Sequence, residues 1–299
     1  MLLLGALLAV VPASGAAAIR SVTAPAPVLA LAADGARVAY AVGFSARDCN
    51  RVYVWNLGTR AVTRLGRKTH CERTSTGNAI AAVSIAATRV LWLHYVGGNT
   101  REWTLWTAAT TSPAPRRLRF AAREAGQPAP IVIGEGDSSP LGDLLPYAVD
   151  RTVVVLRADG ARRFTWAAPA RVVALAAKDG ELAVATEGGV VTLLDGSGQV
   201  LRRESFGAEI ETVRIAGDSL AVQHGRTLEL RGGRIAIYSL VAGAALADAD
   251  RGRAVIVRRG NVSTFDLGSG RGGVVAAGTL AQLEGARLSV ASGRVVSVR

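Results

Sequence analysis

From Val28 onward the apolar residues come in short runs of Val, Leu, Ile and Ala that alternate with polar positions and break at Gly and Asp. A period of two places one side of each run in a core and marks strands, and no stretch after residue 18 keeps the spacing of an amphipathic helix. The pattern is clearest over Val172 to Phe206. There VVALAA ends at a turn of Lys178, Asp179 and Gly180, and ELAVAT at a turn of Glu187, Gly188 and Gly189. VVTLLD then turns at Gly196 to Gln199 into VLRRESF. Four antiparallel strands, a to d, in so short a repeat form one propeller blade.

The unit recurs at Val28 to Gly66, Ala79 to Phe120, Pro130 to Trp166, Thr212 to Leu240 and Gly243 to Ala277. A last copy, Thr279 to Arg299, has only LAQLE, RLSVAS and VVSVR. Ile19 to Thr23 (IRSVT) is strand-like and precedes the first unit. Paired outside Val295 to Arg299, it completes the last blade and closes a ring, which removes the exposed edges of an open array. The expectation is an all-β chain: a single seven-bladed β-propeller of four-stranded antiparallel blades over residues 19–299, closed by its N-terminal strand.

The a–b turns fall near Asp34, Ala87, Pro140, Asp179, Gly217, Arg251 and Gly285, so the surplus residues lie in the first three blades. In a propeller the b–c tips and the d-to-a crossovers share one face. The b–c segments Gly43 to Asn50 and Gly97 to Arg101 therefore emerge beside the crossovers Arg67 to Asn78 and Ala121 to Ala129. Loops that depart from a rigid repeat commonly carry binding. The candidate ligand-binding residues on this face are Arg47, Asp48, Asn50, His70, Glu72, Arg73, Asn99, Arg101 and Glu102. Trp55, Trp92, Trp103 and Trp106 cluster in the same two blades with Tyr53 and Tyr95, and their alternation packs them between blades. Only Tyr95 or Trp103, near a strand tip, is placed to stack on a ligand.

The one long apolar run, Leu2 to Val11, is followed by Pro12 and a small-residue stretch ending at Ala18, which reads as a signal peptide over residues 1–18 without a basic start. The run is too short to span a bilayer, so no transmembrane segment is expected after cleavage. The expected location is secreted or envelope-associated, in a bacterium. Cys49 and Cys71 lie in polar, turn-like segments on neighbouring loops of the candidate face, and in an exported chain such a pair reads as a disulfide.

Charge adds one alternative. The 35 basic residues include only Lys68 and Lys178 as lysines, and the formal net charge is +12. An Arg-rich chain can bind a polyanion, or simply reflect an Ala/Arg/Gly-rich composition. The pairs Arg116-Arg117, Arg162-Arg163 and Arg202-Arg203 recur on strand d, where charge protects an outer edge from aggregation.

No catalytic constellation stands out. Gly268-x-Gly270-x-x-Gly273 matches a dinucleotide fingerprint in letters but joins two strands with no helix to hold a pyrophosphate. Asn261-Val262-Ser263 fits a glycosylation sequon at the entry to a strand. Glu135, Asp137 and Asp143 fall in a mobile-looking acidic turn, Gly134 to Asp143, without the spacing of a calcium loop. His70, His94 and His224 are scattered over three blades. No metal or other cofactor is expected.

The segments TLLDGSGQVLRR, TFDLGSGRGGVV and VWNLGTRAVTRL resemble the repeats of bacterial WD40-like and quinoprotein-like β-propellers. The resemblance covers residues 19–299 and is architectural. The Gly-His and Trp-Asp signatures of WD40 repeats and the recurrent tryptophans of quinoprotein blades are absent, and with the latter any reason to expect a quinone. The resemblance implies fold and leaves function to the site. The leading expectation is an exported, monomeric, non-catalytic propeller that binds a protein or envelope polymer through the loop-rich face of its first three blades. The alternatives are a polysaccharide hydrolase or lyase with carboxylates in the central channel, and a polyanion-binding surface protein.

Overall fold

The computed structural model describes residues 19–43, 48–66, 71–112, 114–139, 142–233 and 235–299. The signal-peptide expectation, residues 1–18, lies outside them. Seven four-stranded antiparallel sheets make up the described residues. Strand a, the first of each blade, is Val28–Ala33, Asn78–Ala86, Ile131–Ile133, Val172–Lys178, Thr212–Ala216, Ala244–Asp250 and Leu280–Glu284 in blades one to seven. These strands meet around the axis, and that of blade one packs against those of blades two and seven. The N-terminal strand Arg20–Thr23 pairs antiparallel with Val295–Val298, with Arg20 opposite Val298, and supplies strand d of blade seven.

Burial along a blade follows from its position in the ring. In blade four, strands b (Glu181–Thr186) and c (Val190–Leu194) are buried throughout save their first residues, because neighbouring blades cover both faces. Strand d (Val200–Ser205) alternates between exposed and half-buried, because only its inward side chains are covered. The turns obey local chemistry. Asp179 and Gly180 both have positive φ, as do Arg251 and Gly252, which is the two-residue hairpin whose twist matches antiparallel strands. Strand a carries a bulge at equivalent places in blades one, two, four and six, between Val28 and Ala30, Ile80 and Ala82, Val172 and Ala174, and Leu246 and Asp248. Such bulges add local twist, which radially arranged sheets require.

Seven apolar clusters fill the seams between blades. The seam between blades one and two holds Trp92, whose side chain is fully buried against Ile85, Val54 and Leu65. The closing seam holds Trp55 with Val296 and Val298, so the N- and C-terminal strands are welded by apolar burial as well as by pairing.

The surplus residues divide unexpectedly. In blade two they lengthen strands rather than loops: strand c runs Thr100–Ala109 and strand d Arg116–Glu124, with Thr100 opposite Glu124. Arg101 and Ala121 to Glu124, read from sequence as loop, are therefore paired backbone, and the b–c turn shrinks to Gly97, Gly98 and Asn99. In blade three the surplus enters the a–b connection on the opposite face. Within that acidic connection Asp137 is held in place: it is buried, accepts the Gly180 and Ser139 amides at 2.6 and 2.8 Å, and pairs through its backbone with Leu144.

Candidate functional site

The loop-side end of blades one and two is cross-braced. Cys49, on the b–c loop of blade one, is bonded to Cys71 on the crossover into blade two, with 5.8 Å between the Cα atoms and both residues buried. Beside it Asn50 accepts the indole N–H of Trp92 at 2.8 Å, which ties the loop of one blade to the core of the next. Arg101 donates to the Thr76 carbonyl at 2.9 Å, and its guanidinium lies 4.9 Å from the Tyr95 ring centre and 5.7 Å from that of Trp103. Tyr95 and Trp103 are themselves 5.4 Å apart. Trp103 is buried, which removes it as a ligand platform and leaves half-buried Tyr95.

Beneath this cover lies a small polar network. Asn78 donates to the Glu72 carbonyl at 3.2 Å, so its Oδ1 faces the Nε2–H of His94 at 2.8 Å. Burial pushes the His94 imidazole down to about 4. Of the sequence candidates, Asp48, Asn50, Glu72, Arg73, Asn99, Arg101 and Glu102 share this end of the molecule, with Glu72, Arg73, Asn99 and Glu102 exposed. Arg47 and His70 lie outside the described residues. Asp48 is paired with Arg51 at 3.5 Å, and the Asn99 carbonyl accepts the Ala125 amide.

The central channel carries what the sequence reading did not assemble. Strand a of four blades and the a–b connections of two others bring Asp34, Glu135, Lys178, Arg214, Asp248, Asp250 and Glu284 to the axis. Arg214 lies between Glu135 at 3.6 Å and Asp248 at 3.7 Å, and Lys178 is 3.5 Å from Asp250. Asp248 is fully buried and accepts the Leu283 and Ala249 amides at 2.6 and 2.7 Å. Gln282 crosses the axis, donating to Glu135 at 2.6 Å and accepting from the Ala33 amide at 2.5 Å.

Too many carboxyls share too few cations here, and protonation follows. Burial first, and the neighbouring Glu135 second, push the Asp248 carboxyl well above the ordinary range. Burial, with Asp34 adding repulsion that Lys178 partly offsets, lifts Glu284 to about 7. Burial works against the Lys178 ammonium, yet Asp248, Glu135, Asp250 and Glu284 together hold its pKa above the usual lysine range. The cavity over the Arg214–Glu135–Gln282 floor is ≈ 190 Å³, below the ~300 Å³ at which ligand pockets begin. The mouth on the a–b turn face, lined by Asp137, Lys178, Asp250 and Glu284, is larger, at ≈ 430 Å³. Among the described residues no three His, Cys, Asp or Glu side chains are grouped to hold a metal ion.

These residues had a signal in the sequence. TVRIA, AALADAD and LAQLE each place a charged or amide side chain inside an otherwise apolar innermost strand. Burial of charge is rare enough that such an interruption points at the axis.

The strand-d arginines also find partners. Arg20 donates to Leu57 O at 2.6 Å, Arg163 to Gly196 O at 2.5 Å and Arg202 to Asp218 O at 3.1 Å. Arg116 reaches Gly160 O at 3.3 Å. In each case strand d of one blade clasps a turn of the next. In blade five Tyr238 does the same to Leu267 O at 2.5 Å. The Gly268-x-Gly270-x-x-Gly273 match runs from the c–d turn of blade six, where the Asp266 carboxylate accepts the Ser269 amide, into strand d, where Gly273 is paired with Thr264.

No family model matches the chain, and no curated protein matches it in sequence. Among solved structures it is similar to Raptor from Chaetomium thermophilum, with a TM-score of 0.56 at 13% identity over 93% of this chain. It spans only 28% of that protein. It is also similar to the computationally designed Ika8 protein, with a TM-score of 0.51 at 12% identity over 92% of this chain and 96% of the other. At such identities the likeness establishes the propeller-like architecture alone. The buried disulfide points to an oxidising, extracytoplasmic compartment. No described helix is long and apolar enough to cross a membrane.

Proposed function

We propose that this is a secreted, non-catalytic binding propeller that holds a protein or envelope polymer on the loop-side end of blades one and two. One observation carries the reading. The only disulfide, the Asn50–Trp92 bond and the Arg101 stack on Tyr95 all brace this one end, which presents Glu72, Arg73, Asn99 and Glu102 to solvent. A pre-ordered surface loses little entropy on binding. Residues 19–299 act as a monomer in this reading, and the signal peptide is removed before Ile19.

The test is capture from the native secretome and envelope by the chain, compared with the triple variant Arg73→Glu, Asn99→Arg, Glu102→Arg. Specific partners should be lost on that variant and kept by Asp179→Arg, Arg251→Glu on the opposite face. Equal capture by both variants sinks the choice of face. Arg101 is left out because it is half-buried and its stack and its bond to Thr76 make it structural.

A second reading rests on the channel mouth, where the Glu284 carboxyl is lifted to about 7, the range in which a general acid works. If the chain cleaves a sugar polymer, Glu284→Gln should remove turnover on a polysaccharide panel. One member of each recurrent strand-d arginine pair, Arg116, Arg163 or Arg202, is held by a backbone carbonyl of the next blade, which gives it a structural role beside any contact with a polyanion.

A further inference from the structure

The seam between blades seven and one differs from its closest counterpart. At the seam between blades two and three, the first arginine of strand b (Arg89) and of strand d (Arg116) both clasp the c–d turn of blade three, at Ala158 O, Asp159 O and Gly160 O. Asp159 sits in that turn, paired with Arg157 at 2.5 Å; burial and the neighbouring Arg116 pull the Arg89 guanidinium below the usual arginine range, and Asp159 partly offsets them. The equivalent arginines of blade seven, Arg287 and Arg20, clasp Gly35 O and Leu57 O of blade one. Aligned on the amide-to-carbonyl bond that closes the turn, Asn56 to Ala61 in blade one and Arg157 to Ala161 in blade three, blade one has Gly58 where blade three has Asp159.

The consequence is a cleft of ≈ 570 Å³, within the range of small-ligand pockets, lined by Arg20, Arg287, Ala36, Leu57, Gly58 and Ala286. It has no acidic side chain in its lining, and neither Arg20 nor Arg287 forms an ion pair among the described residues. Each guanidinium has five N–H donors in a fixed fork and gives one nitrogen to a carbonyl, which fixes its position and leaves donors over for a planar anion. Arg299 closes the cleft, but its guanidinium turns away to Val275 O at 2.8 Å. Between the two arginines the wall is the apolar side of Ala36, Leu57 and Ala286.

We propose that this seam binds a carboxylate carried on an apolar body, the carboxylate between Arg20 and Arg287 and the body against Leu57 and Ala286. The site is independent of the loop-side surface, on the other face of the ring. The probe is 4-(trifluoromethyl)benzoate, followed by ¹⁹F line broadening and titration, with 4-(trifluoromethyl)benzyl alcohol as its neutral counterpart.

Gly58 makes the test sharp. It does not need a positive φ, and a Cβ there would approach only Asn56 Oδ1, at 3.3 Å, so a side chain fits. Gly58→Asp should weaken benzoate at least about tenfold, while the isosteric Gly58→Asn should stay within about threefold, because only the first adds an opposing charge. Arg20→Gln with Arg287→Gln should abolish binding, and Ala286→Trp should do so by filling the cleft with both arginines in place. Equal affinity for benzoate and alcohol, or equal affinity in the Asp and Asn variants, overturns the proposal. So does equal loss of binding on Arg162→Gln with Arg163→Gln, which would assign it to the general charge of the rim.

Discussion

The two ends of the ring are held together by opposite chemistries. At the loop side of blades one and two the braces are a covalent bond, neutral hydrogen bonds and a cation–π stack, and the one titratable group in the buried network, His94, is kept neutral. At the channel and its mouth the braces are charges, with Arg214 and Lys178 shared among Glu135, Asp248, Asp250 and Glu284. The first end should tolerate salt and alkali and weaken on reduction or in acid. The second is indifferent to reductant and strained wherever its surplus carboxyls must ionise.

The largest effect is expected at the axis. Asp248→Ala leaves the buried Leu283 and Ala249 amides without acceptors and should cost about 3 kcal/mol in urea unfolding. Asp248→Asn should cost under about 1 kcal/mol, because a carboxyl already pushed towards its neutral form loses little by becoming an amide. A severe Asn variant would mean that Asp248 works as an anion. The counterpart at the other end is Cys49→Ser with Cys71→Ser. It removes the cross-link over a separation of 22 residues and should cost about 3 kcal/mol in the chain-entropy model. Reducing the wild type should reproduce that loss, and the double variant should no longer respond to reductant.

The pH dependence separates the ends by sign. His94 has a folded pKa of about 4 against 6.5, so below pH 6.5 the unfolded chain binds a proton that the fold refuses. Stability should fall from pH 6.5 towards 4. Glu284 has a folded pKa of about 7 against 4.5, so between those values the unfolded chain sheds a proton that the fold retains. Stability should fall as pH rises from 4.5 to 7 and then level. Each slope is worth about 1–2 kcal/mol once solvent screening is allowed for. His94→Gln should flatten the acid limb alone and Glu284→Gln the other alone, read as Tm against pH. If either variant flattened both limbs, the two ends would be energetically coupled.

The contrast also marks what could be read from the chain. The blades were legible because a two-residue period and Asp-Gly turns are local facts, as in Lys178-Asp179-Gly180-Glu181. The partnership of Arg20–Thr23 with Val295–Val298 was legible because a blade with three strands needs a fourth. Cys49 and Cys71 could be joined once both were placed on one face. The channel belt was not assembled, because Glu135, Arg214 and Asp248 become neighbours only when separate blades turn their inner strands to one axis. The blade-two hairpin was misread for a related reason. Gly97 and Gly98 look like loop in either case, and only the pairing of Thr100 with Glu124 shows that the strands continue past them.

The smallest expected effect tests the seams between the two ends. The strand-d clasps put one guanidinium on one carbonyl at a half-exposed rim, a setting in which a hydrogen bond contributes about 0.5–1 kcal/mol. Arg163→Gln shortens the reach to Gly196 O and should cost no more than that, whereas Arg163→Lys keeps a single donor and should cost less. Asn50→Ala, which leaves the buried Trp92 indole N–H without its acceptor, should cost about 1–2 kcal/mol, more than any one clasp. The two losses should add, because Asn50 braces the loop face of one seam and Arg163 the turn face of another, with no partner in common. A measured coupling above about 0.5 kcal/mol between them would show that strain travels around the ring. The seven seams would then have to be treated as one cooperative unit.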